Sequence, residues 1–354
     1  MIHKLGIIGC GGMAIGHHLN AVGAADVPFE AVAGYDIDPE RLKIAAEKGL
    51  KIYDDLDKFL ASKEFEMVLV ATSNNYHCEM TCRALEAGYH VMVEKPAAMN
   101  CVELQKMIDT SEKCGKLFTV HQNRRWDGDF MRICRCIEEG AVGTPYMIES
   151  RIHPANGSGC MYNWRGMTDH GGGMLLDWGV HMLDQLLYLI KSPVKTVYGD
   201  IKKLWSEEVD DYSKVIITFE NGMTAQMEVT TYAPQPLPRW AVYGDRGAMI
   251  MTSDSQPVKI RRIKEETTEV VKVPAYENHA KTFRDQRVHH IQSFEEFDGP
   301  KVMPEGNWNS VYKNIAGVLD GKEELIVKPS EVMRVFRVIE AAFKSSKEGI
   351  VVRF

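Results

Sequence analysis

Short apolar runs that end in glycine or polar residues, each followed by a stretch with helical spacing, fill the first third of the chain. Residues 4–8 (KLGII) are such a run and lead into a glycine cluster. They read as a buried parallel strand, because a strand covered on both faces is apolar at nearly every position. Met13 to about Val22 has helical spacing, EAVAGYD is again apolar, and PERLKIAAEKG is a helix opening near Pro39 and closing at Gly49. The alternation continues through MVLVATS (67–73), YHCEMTCRALEAG, HVMVEKP (90–96), VELQKMIDTSEKCG and LFTVHQN (117–123). Strand and helix in this rhythm predict βαβ units and a doubly wound parallel sheet.

Beyond about residue 125 the rhythm changes. A helix (130–139) and a strand (146–153) precede a glycine- and aromatic-rich loop at 154–173, and an amphipathic helix covers 179–190. Strands then follow one another: KTVYGDIKKL, YSKVIITFENG, TAQMEVTTY, RWAVYGD, GAMIMT, VKIRRI and residues 266–273. Such succession predicts a mostly antiparallel sheet. Helical spacing returns at 310–321 and 330–346, before the strand-like tail IVVRF. The fold expected is α/β: an N-terminal Rossmann domain, residues 1–122, and a C-terminal α+β domain with an open sheet, residues 123–354. The C-terminal helix is expected to pack back on the first domain, and no repeat or low-complexity linker separates the two.

Composition narrows the function. The 354 residues are 45% hydrophobic and 26% charged, as in ordinary globular proteins, and this length favours two cores over one. A formal charge of −7 argues against nucleic acid or an anionic membrane as the main partner. No apolar run reaches membrane-spanning length, and the chain enters a strand almost at once, so a cytoplasmic protein is expected. The eight cysteines are expected to be reduced, and Cys134 and Cys136 are too close together for a zinc knuckle. His17-His18 and His289-His290 lack a completing ligand pattern, so no metal is expected. The charged RRIKEETTE reads as a solvated hairpin.

The candidate chemistry begins with Gly9, Gly11, Gly12 and Met13 in a G-x-G-x-x-A pattern between the first strand and the first helix. Glycines there permit a tight turn and let the backbone approach a pyrophosphate at the helix N-terminus. Asp36 ends the second strand, where a carboxylate accepts hydrogen bonds from ribose hydroxyls and repels a 2′-phosphate, so NAD is expected over NADP. Lys95 ends a strand as apolar as HVMV, a costly placement unless its charge is used. Asp177 and His181 stand four apart at the start of a helix, hence on one face and able to act together, Asp177 orienting a substrate hydroxyl or the imidazole, and an imidazole titrates near neutrality.

The motifs GCGGMA, ATSNNYH…ALEAGYHVMVEKP and GGGMLLDWGVHMLD (172–184 for its core) resemble those of the glucose–fructose oxidoreductase/inositol dehydrogenase (Gfo/Idh/MocA) family, in its order and over nearly the full chain. Ser73 departs from the proline usual before Asn74. The resemblance implies a catalytic set of Lys95, Asp177 and His181. It implies NAD contacts from Thr72, Asn74, His77, Glu94, Lys95 and Asn123 beside the glycine loop. Arg124, His153, Tyr162, Trp164 and Arg165 are implied to contact substrate, with Asp177 and His181. Asp184 reads equally as a holder of the imidazole or as a solvated acid. The implied activity is oxidation of a secondary ring hydroxyl of a sugar, glycoside or cyclitol, in one version the 3-hydroxyl of a glycoside. Alternatives are a redox-assisted glycosidase that retains NAD and a non-catalytic NAD-binding regulator. The resemblance further implies a homo-oligomer formed through the C-terminal sheet.

Overall fold

The structure is a computed structural model that describes residues 1–154, 160–277, 280–300 and 308–354. Six strands, β1 (His3–Ile8), β2 (Phe29–Tyr35), β3 (Lys51–Tyr53), β4 (Met67–Val70), β5 (His90–Val93) and β6 (Phe118–Val120), form a parallel sheet in the order β3-β2-β1-β4-β5-β6. Helices α1 (Leu19–Val22), α2 (Pro39–Glu47), α3 (Leu56–Ala61), α4 (His77–Glu86) and α5 (Cys101–Cys114) connect them. Leu5, Ile7 and Ile8 have no exposed surface, which explains the unbroken apolar run of β1. Asp38 starts α2 by accepting the Glu40 N–H at 2.9 Å, and Asn100 starts α5 by accepting that of Glu103. β3 and α3 are too short to announce a period. The strand order reverses between β1 and β4, and ligands of such sheets bind above that point, at the strands' carboxyl ends.

The second sheet is built from β7 (Pro145–Ile152), β8 (Val194–Lys202), β9 (Tyr212–Phe219), β10 (Thr224–Thr230), β11 (Trp240–Gly244), β12 (Gly247–Met251), β13 (Lys259–Glu277), β14 (Ala280–Asp298) and β15 (Val352–Arg353). Its order is β14-β13-β12-β11-β7-β10-β9-β8-β15, and only the β7–β10 pairing is parallel. Helix α6 (Gly128–Glu138) precedes this sheet, and α7 (Val180–Leu189) lies between β7 and β8. One face of the sheet packs Val215, Ile217, Ala225 and Met227 against Val180, Leu183 and Leu186 of α7. The other face carries Tyr198, Ile216, Gln226 and Ile250, partly or well exposed.

The last two helices join the domains. In α8 (Asn309–Leu319), Val311, Tyr312 and Ile315 are buried with Leu5, Ile7 and Phe29 of the first sheet. In α9 (Pro329–Glu348), Val332 and Phe336 enter the other core of the first domain, while Val335, Val338 and Ile339 enter the core of the second. The C-terminal helix α9 thus contributes to both cores, and α8 to the first. No helix among the described residues is long and apolar enough to cross a membrane, and none of the eight cysteines is in a disulfide.

One expectation needs correction. VKIRRI and residues 266–273 are not separate strands but parts of the 19-residue β13, and β14 pairs with it from Asp298 to Ala280. Nearly every residue of β14 is exposed, so neither face is buried and the two-residue period that betrays a half-buried strand is missing.

Candidate active site

The glycine loop leaves β1 at Gly9, whose φ of +92° suits glycine, and a Cβ there would lie 2.7 Å from the backbone of Ala71 at the end of β4. At Gly11 and Gly12 a Cβ would meet nothing within 4 Å, so open space lies over the start of the first helix. The Cys10 N–H donates to Asp36 Oδ2 at 2.7 Å and the Asp38 N–H to Oδ1 at 2.9 Å. These bonds hold the Asp36 carboxylate against the loop. Close backbone approach, an open cradle and a fixed carboxylate are what a dinucleotide needs, and these residues fit NAD.

Between the two domains lies a cavity of about 410 Å³. Met13, Thr72, Asn74, His77, Glu94, Lys95 and Asn123 line it from the first domain side, and Arg124, Tyr162, Trp164, Arg165, Asp177 and His181 from the other. All but one of the residues expected at the reacting end thus share one space. Gly9, Gly11, Gly12 and Asp36 belong to the loop end of the crevice. His153 is the exception: it lines an adjacent cavity, where its buried Nε2 lies 3.9 Å from Glu228.

The catalytic candidates meet across the domains. Lys95 Nζ donates to Asp177 Oδ1 at 2.8 Å and to the Asp177 carbonyl at 2.9 Å. Arg165 Nε lies 3.4 Å from Asp177 Oδ2. Burial alone would raise the Asp177 pKa, but the cations Lys95 and Arg165 hold it below the ordinary carboxylate value. His181 is fully enclosed, and burial, followed by the charges of Lys95 and Arg124, pushes its pKa well below 6.5. Its Nδ1 donates to Gln122 Oε1 at 2.8 Å. The ring is therefore a neutral imidazole with Nε2 as its acceptor atom.

Two expectations about this helix change. Asp177 does not hold the imidazole, because Leu175–Gly179 is wound as a π-helix before α7 begins. The wider turn alters the spacing on which a four-residue pairing depends. Asp184 is neither solvated nor bonded to His181. It grips Arg125 with both oxygens at 2.7 Å, and Arg125 also binds Glu331 of α9, which clamps the segment after β6 to α7 and α9.

Glu94 anchors a second network. Its Oε1 accepts from His18 Nε2 at 2.6 Å and His121 Nδ1 at 2.7 Å, while Oε2 accepts the Lys95 N–H at 3.0 Å. Tyr312 of α8 donates to His18 Nδ1 at 2.7 Å. Burial opposes ionisation of Glu94, yet the two histidines hold its pKa well below 4.5. His77 is buried rather than on the surface, with ring nitrogens 2.8 Å from the Pro96 carbonyl and 3.1 Å from that of Thr72. Asn74 donates to the Gly171 carbonyl at 3.0 Å, linking the two domains beneath the cavity. Arg124 stacks over Trp178 at 4.2 Å.

Sequence reasoning missed Gln122, His18, His121, Tyr312 and Arg125. Gln122 and His121 lie within the HQN segment at the end of β6, where strand-end position was a usable signal. The partnership of His18 with Glu94 spans 76 residues and left no local trace.

Residues 3–122 match the NAD-binding Rossmann fold of the oxidoreductase family, and residues 130–250 match the GFO/IDH/MocA C-terminal domain. A crystal structure of an NAD-binding protein from Listeria innocua is 37% identical, covers 99% of each chain and superposes with a TM-score of 0.86. The chain belongs to the Gfo/Idh/MocA oxidoreductase family. Among family relatives, the D-glucoside 3-dehydrogenase of Escherichia coli is 32% identical over 55% of this chain and 56% of its own. The NADP(+)-dependent scyllo-inositol 2-dehydrogenase of Bacillus subtilis is 27% identical over 84% of this chain and 81% of its own. The family's cofactor is bound by its Rossmann domain, and in this chain the loop at Gly9 and the carboxylate of Asp36 are groups of that domain with a geometry that fits NAD.

Proposed function

We propose that this protein oxidises a secondary ring hydroxyl of a sugar, glycoside or cyclitol to a ketone. The observation that carries the reading is that a neutral His181 imidazole and the Lys95 ammonium line one interdomain cavity at the carboxyl end of β5. His181 Nε2 takes the hydroxyl proton as general base, its tautomer set by Gln122. Lys95 stabilises the developing alkoxide by charge, an effect strongest where water is excluded. Asp177, itself paired with Arg165, holds the ammonium in place and leaves hydrogen-bonding capacity for neighbouring ring hydroxyls. Bound NAD supplies the acceptor for the carbinol hydrogen and its electron pair. Trp164, with Arg165 stacked on it at 4.2 Å, and the exposed Tyr162 offer flat faces to the C–H surface of a ring. The names of the glucoside and inositol dehydrogenases among the relatives support this substrate class.

The test is incubation with NAD and a panel of sugars, glycosides and inositols. NADH absorbance and product mass are read together. A ketone lighter than its parent by one molecule of hydrogen is expected for at least one cyclic polyol. Bond cleavage with no net NADH would replace this reading with a redox-assisted glycosidase.

A further inference from the structure

The π-turn Leu175–Gly179 carries Asp177, yet it begins without a capping side chain of its own: Met174, which precedes it, makes no such bond. The first N–H groups of a helix have no partner inside it and must find one elsewhere. Here Asp210, a residue between β8 and β9, supplies it from 35 positions later in the chain. Its Oδ2 accepts the Leu175 N–H at 2.8 Å, and its backbone carbonyl accepts that of Met174 at 2.9 Å. The Ser213 hydroxyl of β9 donates to the same Oδ2 at 2.6 Å and fixes its direction. A negative group at a helix start is further favoured by the helix dipole.

The approach is close. Gly173 has a φ of +105°, and a Cβ there would lie 2.1 Å from Asp210 Oδ1, so only glycine lets the carboxylate reach the turn. Burial pushes the Asp210 pKa up to about 6, against the bonds from Ser213 and Leu175, so the group is an ionised acceptor at neutral pH. Its neighbour Asp211 has other partners: its oxygens accept the N–H groups of Leu204, Trp205 and Ser206. The Asp211 backbone donates to the Lys202 carbonyl at 3.1 Å and accepts the Thr231 N–H at 3.0 Å, which anchors this corner to the second sheet. At the far end of the same connection, Lys95 Nζ donates to the Asp177 carboxylate at 2.8 Å and to its carbonyl at 2.9 Å. Arg165, whose carbonyl accepts the Gly173 N–H at 3.0 Å, flanks the other Asp177 oxygen.

We propose that Asp210 is a positioning residue of the site: it locks the start of the π-turn to the second sheet and so fixes the Asp177 groups that hold the Lys95 ammonium. Its effect on rate rests on the proposed role of Lys95 in the chemistry, whereas its effect on the position of Lys95 does not.

Competitive acetylation of the full-length protein reads that position without any substrate. The rate at each lysine is followed by mass spectrometry, with exposed Lys43 of α2 as the reference. In Asp210→Ala the ammonium is released from Asp177, and Lys95 should be labelled roughly fivefold faster or more. Asp177→Asn should give a similar rise, and the double variant no more than Asp177→Asn alone, because both act through one contact. Asp210→Asn, whose amide oxygen still accepts the Leu175 N–H, should return most of the wild-type protection. With an oxidised polyol in hand, Asp210→Ala should lower kcat about tenfold or more with KM for NAD unchanged, since misplacing a reacting group by about 1 Å costs up to about 10² in rate. Wild-type labelling of Lys95 in Asp210→Ala, or additive effects in the double variant, overturns the proposal. Faster labelling with unchanged kcat would keep the contact and reject Lys95 as the charge that the chemistry uses, so the two readings fail separately. Should Asp210→Ala not fold, Ser213→Ala carries the test: a rise at Lys95 of roughly twofold is expected for one lost hydrogen bond, and the wild-type rate overturns the proposal.

Discussion

Glu94 and Asp177 are buried carboxylates facing one cavity from opposite domains, and they are tied in different ways. Glu94 sits among imidazoles: His18 and His121 share one oxygen, and its other oxygen fixes the backbone of Lys95. Asp177 sits between formal cations, Lys95 and Arg165. The first carboxylate therefore sets where the Lys95 backbone is, and the second sets where its ammonium points. One lysine is positioned from both ends by two domains, so closing the cleft correctly is a condition of placing the charge that the chemistry uses.

The strongest challenge to this division removes the reacting groups. Lys95→Met and His181→Ala should each lower turnover by on the order of 10² or more, the usual scale for lost charge stabilisation or general-base catalysis, with NAD still bound. Normal kinetics in His181→Ala would make the histidine structural.

Substituting the two carboxylates separates them. Asp177→Asn should reduce kcat by on the order of tenfold or raise KM for substrate, because it frees the ammonium and removes a hydrogen-bonding oxygen. Glu94→Gln should instead appear in thermal unfolding, at about 1–3 kcal/mol for a buried network that loses its charged acceptor. If both variants share one profile, the division of roles fails.

Asp36 tests the far end of the cofactor crevice. NAD should bind at least tenfold more tightly than NADP, about 1.4 kcal/mol, and Asp36→Ala should weaken NAD and shrink that ratio. A scyllo-inositol dehydrogenase relative uses NADP(+), so the family scaffold itself does not settle the preference. Calorimetry showing equal affinities in the wild type would remove the Asp36 assignment.

The gentlest probe is pH. Burial lowers the pKa values of His18, His77 and His181 below 6.5. Between the depressed folded values and 6.5 the unfolded chain binds more protons, so stability rises with pH through that window and is lost as pH falls below about 6.5. Denaturant midpoints from pH 7.5 down to 5 should fall accordingly, while the acid limb of turnover lies below pH 6.5. An acid limb above the ordinary histidine value would contradict a neutral, buried His181.

Legibility in the sequence followed locality. β1, β4 and β5 are apolar throughout because helices cover both faces, and the Gly9 loop is written in consecutive residues, so the first domain and its cofactor were readable. Lys95 stood out because a cation ending an apolar strand needs a purpose. Of the two roles open to Asp177, a hold on the imidazole fails: spacing allowed it, but a π-turn intervenes and Gln122, just beyond β6 and 59 residues earlier, takes the ring nitrogen. His18 looked like idle metal bait until Glu94 and Tyr312 were brought to it by the fold. β14 stayed hidden because a strand solvated on both faces has no apolar rhythm.

The central claim is that one cavity moves a proton to His181 and the carbinol hydrogen to NAD. It is tested most directly with the best substrate of the panel carrying deuterium on the carbon oxidised. Mass spectrometry of nicotinamide and sugar after a single turnover should find the label on the nicotinamide and a ketone in the product, with both signals lost in Lys95→Met and His181→Ala. Label that stays on the sugar, or that reaches the cofactor equally well in His181→Ala, would contradict the account.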